Sequence, residues 1–131
     1  MGDKMETIAD LMYKDHENVE NLFKEFQEKK SKESLERFKW TLEKHFFIEE
    51  KAIFTVVDVE DFNELINIKK EHDEILLMLS DLDENSDISE FEKMLVTHKN
   101  YEDEVLYPKF DKELSNDIKC QIIERISEVV R

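Results

Sequence analysis

The sequence predicts an all-α fold: an up-down-up-down four-helix bundle with an additional short C-terminal helix. Three observations carry this expectation. A single Gly and a single Pro in 131 residues leave almost no turn chemistry for β-hairpins. Long segments rich in Glu, Lys, Leu, Ile and Phe space their apolar residues alternately three and four apart, which is the period of a buried helical face. The second half also repeats the first. His45-Phe46-Phe47-Ile48-Glu49-Glu50-Lys51-Ala52-Ile53-Phe54 returns fifty-three residues later as His98-Lys99-Asn100-Tyr101-Glu102-Asp103-Glu104-Val105-Leu106-Tyr107.

The first helix is expected from about Met5 to Lys29, with Met5, Ala9, Met12, His16, Val19, Phe23 and Phe26 as its seam. The polar run Glu28 to Lys32 breaks it, and Ser31 or Ser34 is placed to cap the second helix. There Leu35, Phe38, Leu42, His45, Glu49, Ala52 and Val56 line one face, so His45 and Glu49 fall on the apolar seam itself. A third helix is expected to begin near Asp58 or Asp61 and to carry Leu65, Ile68, His72, Ile75, Leu79 and Leu82. Asp83 to Asp87 makes a turn with capping residues. Ile88, Phe91, Leu95, His98, Glu102 and Val105 then form the fourth seam. Pro108 should end or kink that helix at Tyr107. A terminal helix from about Ser115 to Val130 should pack on the outside through Ile118, Ile122, Ile126 and Val129, without a ligand.

Superimposing the halves exposes a duplication. Shifted by fifty-six, the seam from Ala9 to Phe26 falls on that from Leu65 to Leu82; shifted by fifty-three, Leu35 to Glu49 falls on Ile88 to Glu102. Two helical hairpins about a pseudo-twofold axis would bring the polar seam residues into one layer.

Length and an apolar content of 40%, with nine Phe, fit one domain spanning residues 1–131. A net charge of −15 excludes nucleic acid and an anionic membrane as partners, since both need a basic surface. Met1 to Asp10 lacks the apolar run of a signal peptide, and no stretch approaches the roughly 20 apolar residues of a membrane span. The expected location is cytoplasmic, as a monomer or weak oligomer. Cys120 is alone, cannot close an internal disulfide, and among Ile118, Ile122 and Ile123 reads as helix packing.

One histidine on an apolar face is usually a core residue, and one His-x-x-x-Glu is often a surface pair. Here all four histidines of the chain lie on the seams, one per helix, and two bring a seam carboxylate. Burying them unpaired would cost several kcal/mol. A metal removes that cost, and four imidazoles with two carboxylates exceed one tetrahedral zinc but suit two ions. The simplest arrangement pairs His16 with His45 and His72 with His98, with Glu49 and Glu102 bridging. This mixed nitrogen and oxygen set suits iron or manganese.

Asp15-His16-Glu17-Asn18-Val19, His45 to Glu50, Lys69-Lys70-Glu71-His72-Asp73, and His98 to Asp103 followed by Leu106-Tyr107-Pro108 together resemble the hemerythrin-like family, in its branch called the HHE cation-binding domain. The resemblance covers nearly the whole chain. It implies an oxo- or hydroxo-bridged diiron centre, with manganese or zinc as conceivable substitutes, that meets O2, nitric oxide or peroxide. The oxygen carriers of the family use five histidines, and the place of the extra one is Ile68 here, with Met12 at the equivalent position of the first half. That argues against reversible O2 carriage and for an open position on one iron. The carriers also close with an aspartate five residues after the last histidine, a place Asp103 could take. Glu102 is preferred because it stays on the seam and repeats Glu49, whereas Asp103 is rotated from it by about 100°. Asp103 and Glu50 are left as outer candidates that more readily face solvent.

Asp15, Glu71 or Asp73 are candidates to orient imidazoles. Met12, Ile68, Phe23, Phe46, Phe47 and Tyr101 are candidates to shape a pocket. The expected function is binding or sensing of O2 or nitric oxide, or protection against reactive oxygen and nitrogen species. The alternatives are a diiron enzyme acting on peroxide or nitric oxide, an iron donor for repair of iron-sulfur centres, and a metal-free acidic interaction module.

Overall fold

A computed structural model describes residues 7–57 and 62–130. Its elements are α1 (Ile8–Lys29), α2 (Lys32–Ile48), a π-helical turn (Glu49–Ile53), α3 (Glu64–Ser80), α4 (Ser89–Tyr101), a second π-helical turn (Glu102–Leu106), α5 (Tyr107–Glu113) and α6 (Asn116–Val130). The described residues contain no strand. No described helix is long and apolar enough to cross a membrane. The expected positions of Met5 and of a third-helix start at Asp58 or Asp61 lie outside the described residues.

Local chemistry sets the boundaries. Thr7 caps α1 reciprocally with Asp10: its hydroxyl accepts the Asp10 N–H at 3.0 Å, and the Asp10 carboxylate accepts the Thr7 N–H at 3.3 Å. Asp111 of α5 adds a second cap, accepting the amides of Ile8 and Ala9 at 3.0 Å each, so a carboxylate from α5 sits on the positive end of α1. Lys30 stops the helix in a left-handed conformation, φ 47°, and Ser31 starts α2 with Ser34 as reciprocal partner.

The described seam residues are buried as expected except Val56, Leu82 and Ile88, which are partly buried, and Val105; the core forms two apolar clusters. One contains Ile8, Met12, Ile48, Ile53, Leu65, Ile68, Leu106, Tyr107 and Phe110. The other contains Val19, Phe23, Phe26, Leu35, Phe38, Leu42, Phe46, Ile75, Leu79, Phe91 and Leu95. Along each helix the polar seam residue falls between them, so the histidines occupy the layer where the clusters meet.

Three expectations change. Pro108 does not end the fourth helix: the backbone runs on through the π turn into α5, with Pro108 in the first turn of that segment, where a missing N–H costs least. Val105, expected on the seam, is 46% exposed, and Leu106 is buried in its place. The wide π turn advances the helix by more residues per revolution, which moves the inward position from 105 to 106. Finally, α6 does not merely lie outside. Ile122 and Ile126 are part of the first core cluster, while Ile118 is only partly buried against it and Cys120 is exposed rather than packed.

Candidate metal centre

Each site residue is delivered by its own helix. His16 comes from α1, His45 from α2, His72 from α3 and His98 from α4; Glu49 and Glu102 open the two π turns. All six are buried, with Glu49, His72 and Glu102 fully so. The duplication thus extends to the backbone: in both copies the turn widens at the glutamate four residues after the histidine.

The six side chains converge as two overlapping groups of donor atoms. His16, His45 and Glu102 form one; His72, His98, Glu49 and Glu102 form the other, each compact enough to hold a metal ion. Glu102 is shared, with Oε1 3.2 Å from His16 Nε2 and Oε2 3.4 Å from His98 Nε2. His16 thus stands with His45, and His72 with His98. Glu49 is grouped with His72 and His98, although its Oε1 also stands 2.9 Å from His45 Nε2.

The outward nitrogen of every ring is held by a carboxylate. Nδ1 of His16 meets Asp103 at 2.7 Å, Nδ1 of His45 meets Asp15 at 2.5 Å, Nδ1 of His72 meets Glu50 at 2.8 Å, and Nδ1 of His98 meets Glu71 at 2.6 Å. An ionised carboxylate can only accept, so each Nδ1 carries a hydrogen, and in the neutral ring each Nε2 presents a lone pair to the centre. His16 Nε2 and His45 Nε2 stand 2.9 Å apart. Two lone pairs at that separation repel unless a cation lies against them. Among the described residues, Glu49 Oε1, His72 Nε2, His98 Nε2 and Glu102 Oε2 are buried without a hydrogen-bond partner. Native cores rarely leave such atoms unsatisfied, and here they all face one point.

The electrostatics agree. Burial works to lower the pKa of each imidazole, and the surrounding carboxylates outweigh it. His72 is pushed up to about 10 by Glu102 and Glu49, and His45 is held well above its ordinary value by Glu49, Asp15 and Glu102. His16 and His98 are raised too. Burial alone would raise Glu102, but its close contacts with Glu49 and with the imidazoles of His16, His45 and His72 hold it well below the usual carboxylate range. The centre is therefore a strong sink for positive charge, to be filled by protons or by metal.

Asp15 and Glu71 act as the expected orienters, and Asp73 is exposed. Asp103 and Glu50 are not solvent-facing acids: each follows the glutamate that opens a π turn and orients the histidine of another helix, His16 and His72 respectively. The 100° rotation of a regular α-helix does not apply across that turn. Phe46 stacks on His72, ring centres 4.0 Å apart, and Phe23 lines the cavity beside the site, whereas Phe47 and Tyr101 are exposed. Met12 and Ile68 are buried apolar neighbours in the first cluster.

Two residues went unrecognised in the sequence. The Tyr107 hydroxyl donates to Glu49 Oε2 at 3.1 Å and lies 3.3 Å from His16 Nε2. Lys99 is ion-paired to Glu20 of α1 and lies 3.7 Å from Asp103 Oδ2. Lys99 and Glu20 lie on the wall of a cavity of about 50 Å³ that is also lined by Val19, Phe23, Leu42, Phe46 and Leu95 and by His16, His45, His98 and Glu102. Only the tyrosine had a signal: it is the one polar exchange at the aromatic position of the repeat, where the first copy has Phe54.

The family model for the hemerythrin HHE cation-binding domain matches residues 7–110. Comparison with curated proteins and with solved structures found no match. The matched span contains all six converging donors and all four carboxylates that orient the imidazoles, and the chain belongs to the hemerythrin HHE cation-binding domain family.

Proposed function

We propose that His16, His45, His72, His98, Glu49 and Glu102 hold two iron ions, and that the protein binds or senses O2 or nitric oxide, or protects against reactive oxygen and nitrogen species. The observation that carries this reading is the pair of lone-pair-bearing nitrogens, His16 Nε2 and His45 Nε2, at 2.9 Å, beside four buried donor atoms without partners. Donor atoms bound to one ion at about 2.1 Å lie roughly 3 Å apart when they sit at right angles. Two of the three separations at the His16–His45 group, 2.9 and 3.2 Å, have that size, and the third, between His45 Nε2 and Glu102 Oε1, is 3.8 Å. Glu102 reaches both groups, which suits a bridging carboxylate.

An iron pair in such a set would supply redox-active centres able to bind and reduce small oxygen and nitrogen species. The chain's part is selection and orientation. Asp103, Asp15, Glu50 and Glu71 fix the ring tautomers, which raises the basicity of the inward nitrogens. A cavity of about 50 Å³ has room for water-sized molecules, each needing about 10–15 Å³, and excludes an organic substrate. Its apolar walls favour a diatomic molecule over an ion.

The same reading takes the site-bearing helices as an up-down-up-down bundle within one domain. Short connections at Lys30-Ser31 and across residues 81–88 support antiparallel hairpins, as does the packing of α1 on α2 and α3 on α4.

The test is elemental analysis followed by anaerobic optical spectra of the iron-loaded, reduced protein before and after O2 or nitric oxide. Two irons per chain and a spectral change on exposure are expected. An unchanged spectrum with iron fully loaded would sink the gas-binding reading. Absence of bound metal, with stability indifferent to chelator, would leave a metal-free module.

A further inference from the structure

We propose that Tyr107 is itself a metal ligand, its phenolate oxygen completing the coordination of the ion held by His16 and His45, so that the two halves of the duplicated site are chemically unlike. The proposal rests on the diiron reading above.

The repeat places an aromatic ring nine residues after each motif histidine: Phe54 after His45 and Tyr107 after His98. In both copies a π turn ends just before that ring. The two rings reach equivalent places. Phe54 lies nearly parallel to the His72 ring, centres 6.1 Å apart, and Tyr107 lies beside the His16 ring, centres 5.5 Å apart. Both are buried in the same apolar cluster, so packing asks the same of each. Only Tyr107 brings an oxygen.

That oxygen is held where a donor belongs. A phenol has one hydrogen, and Tyr107 gives it to Glu49 Oε2 at 3.1 Å. Toward His16 Nε2, at 3.3 Å, it therefore presents a lone pair, and when the ring is neutral, with its hydrogen on Nδ1 facing Asp103, that nitrogen presents a lone pair in return. Satisfying a buried hydroxyl requires only the bond to Glu49. The approach to His16 repeats the spacing found between His16 Nε2 and Glu102 Oε1, 3.2 Å, and extends the same set of donors. On metal entry the phenol releases its proton to solvent and its oxygen lone pair turns to the cation; no electron is transferred. Phe54 has nothing to offer at the equivalent position of the other half, so the ion at His72 and His98 would take its fourth protein donor from Glu49 rather than from a phenolate.

The experiment uses the full chain, loaded with iron and oxidised. A phenolate bound to iron(III) gives a visible charge-transfer band, and excitation in that band enhances phenolate ring vibrations in the resonance Raman spectrum. The wild type should show both, and ring-deuterated tyrosine should shift the vibrations; Tyr13 and Tyr101 are exposed. In Tyr107→Phe, which keeps the ring, the band should be lost while iron stoichiometry and helical circular dichroism persist. A wild type that binds two irons without the band, or a band that survives in Tyr107→Phe, overturns the ligand assignment while leaving the diiron reading intact. Failure to bind iron at all overturns both. Were the variant to lose iron or fold, the isotope shift in the wild type decides alone: present, it supports the assignment; absent, it overturns it.

Discussion

His16 Nε2 faces His45 Nε2 across 2.9 Å, and each ring gives its hydrogen to a carboxylate on the other side, Asp103 for His16 and Asp15 for His45. The layer is thus built to be completed by a cation shared between α1 and α2. His45→Ala should lower metal content from two ions to one, because His72, His98 and Glu49 remain. Glu102→Ala should remove most of both, since that carboxylate belongs to both groups of donors. Metal analysis after gel filtration reads the difference; equal losses in the two variants would contradict a shared Glu102.

Orientation should be measurable apart from ligation. Asp103→Ala removes the partner of His16 Nδ1 without touching an inward donor. Outer carboxylates of this kind are worth roughly 10–100-fold in metal affinity, and a loss in that range is expected at one ion only. Glu50→Ala should do the same for the other ion through His72. Competition with a chelator of known affinity gives the number for each site. An unchanged affinity would mean that the π turns, not the carboxylates, fix the rings.

Removing the metal should leave a characteristic pH profile. The folded imidazoles are raised above 6.5, His72 to about 10, so their stabilising protons are fully in place below about pH 6.5 and are lost as pH rises toward 10. Glu102 is held below 4.5, so its contribution is present above that pH and fades below it. Metal-free protein should therefore be most stable between about pH 4.5 and 6.5 and melt at falling temperature on the alkaline side. Metal-loaded protein should resist on the alkaline side and release metal in acid, as protons compete for the nitrogens. Thermal melts of both forms across this range test the sign; a metal-free form that gains stability from pH 7 to 10 would contradict it.

Much of this centre was legible because it obeys a period. The seam positions of His16, His45, His72 and His98 follow from three-and-four spacing alone, and the repeat of Glu49 in Glu102 singled out the inward acids from their neighbours. What the period could not show is where it fails. Nothing in Glu102-Asp103-Glu104-Val105-Leu106 announces a π turn, and a regular α-helix would send Asp103 to solvent and Val105 to the core. The widened turn reverses both outcomes and carries the chain past Pro108. The exposed Cys120 is a different failure: its isoleucine neighbours face the core, but position 120 lies on the opposite side of α6.

The last prediction concerns entry. On the cavity wall, Glu20 of α1 and Lys99 of α4 are ion-paired, and Lys99 also lies 3.7 Å from Asp103 Oδ2. Partly exposed pairs of this kind contribute little to stability, about 0–1 kcal/mol, so their loss should leave the fold intact. The pair nonetheless spans two helices beside the apolar path to the inward nitrogens. Glu20→Gln releases the outer partner and leaves Lys99 beside Asp103, so it should speed nitric oxide binding severalfold without changing metal affinity. Lys99→Ala should speed binding at least as much and, by freeing Asp103, also weaken the ion at His16. High salt should reproduce the Glu20→Gln effect in the wild type, because exposed charges are screened. Stopped-flow rates of nitric oxide binding to the reduced protein separate these cases. Rates identical in all of them would place the entry path elsewhere in the bundle.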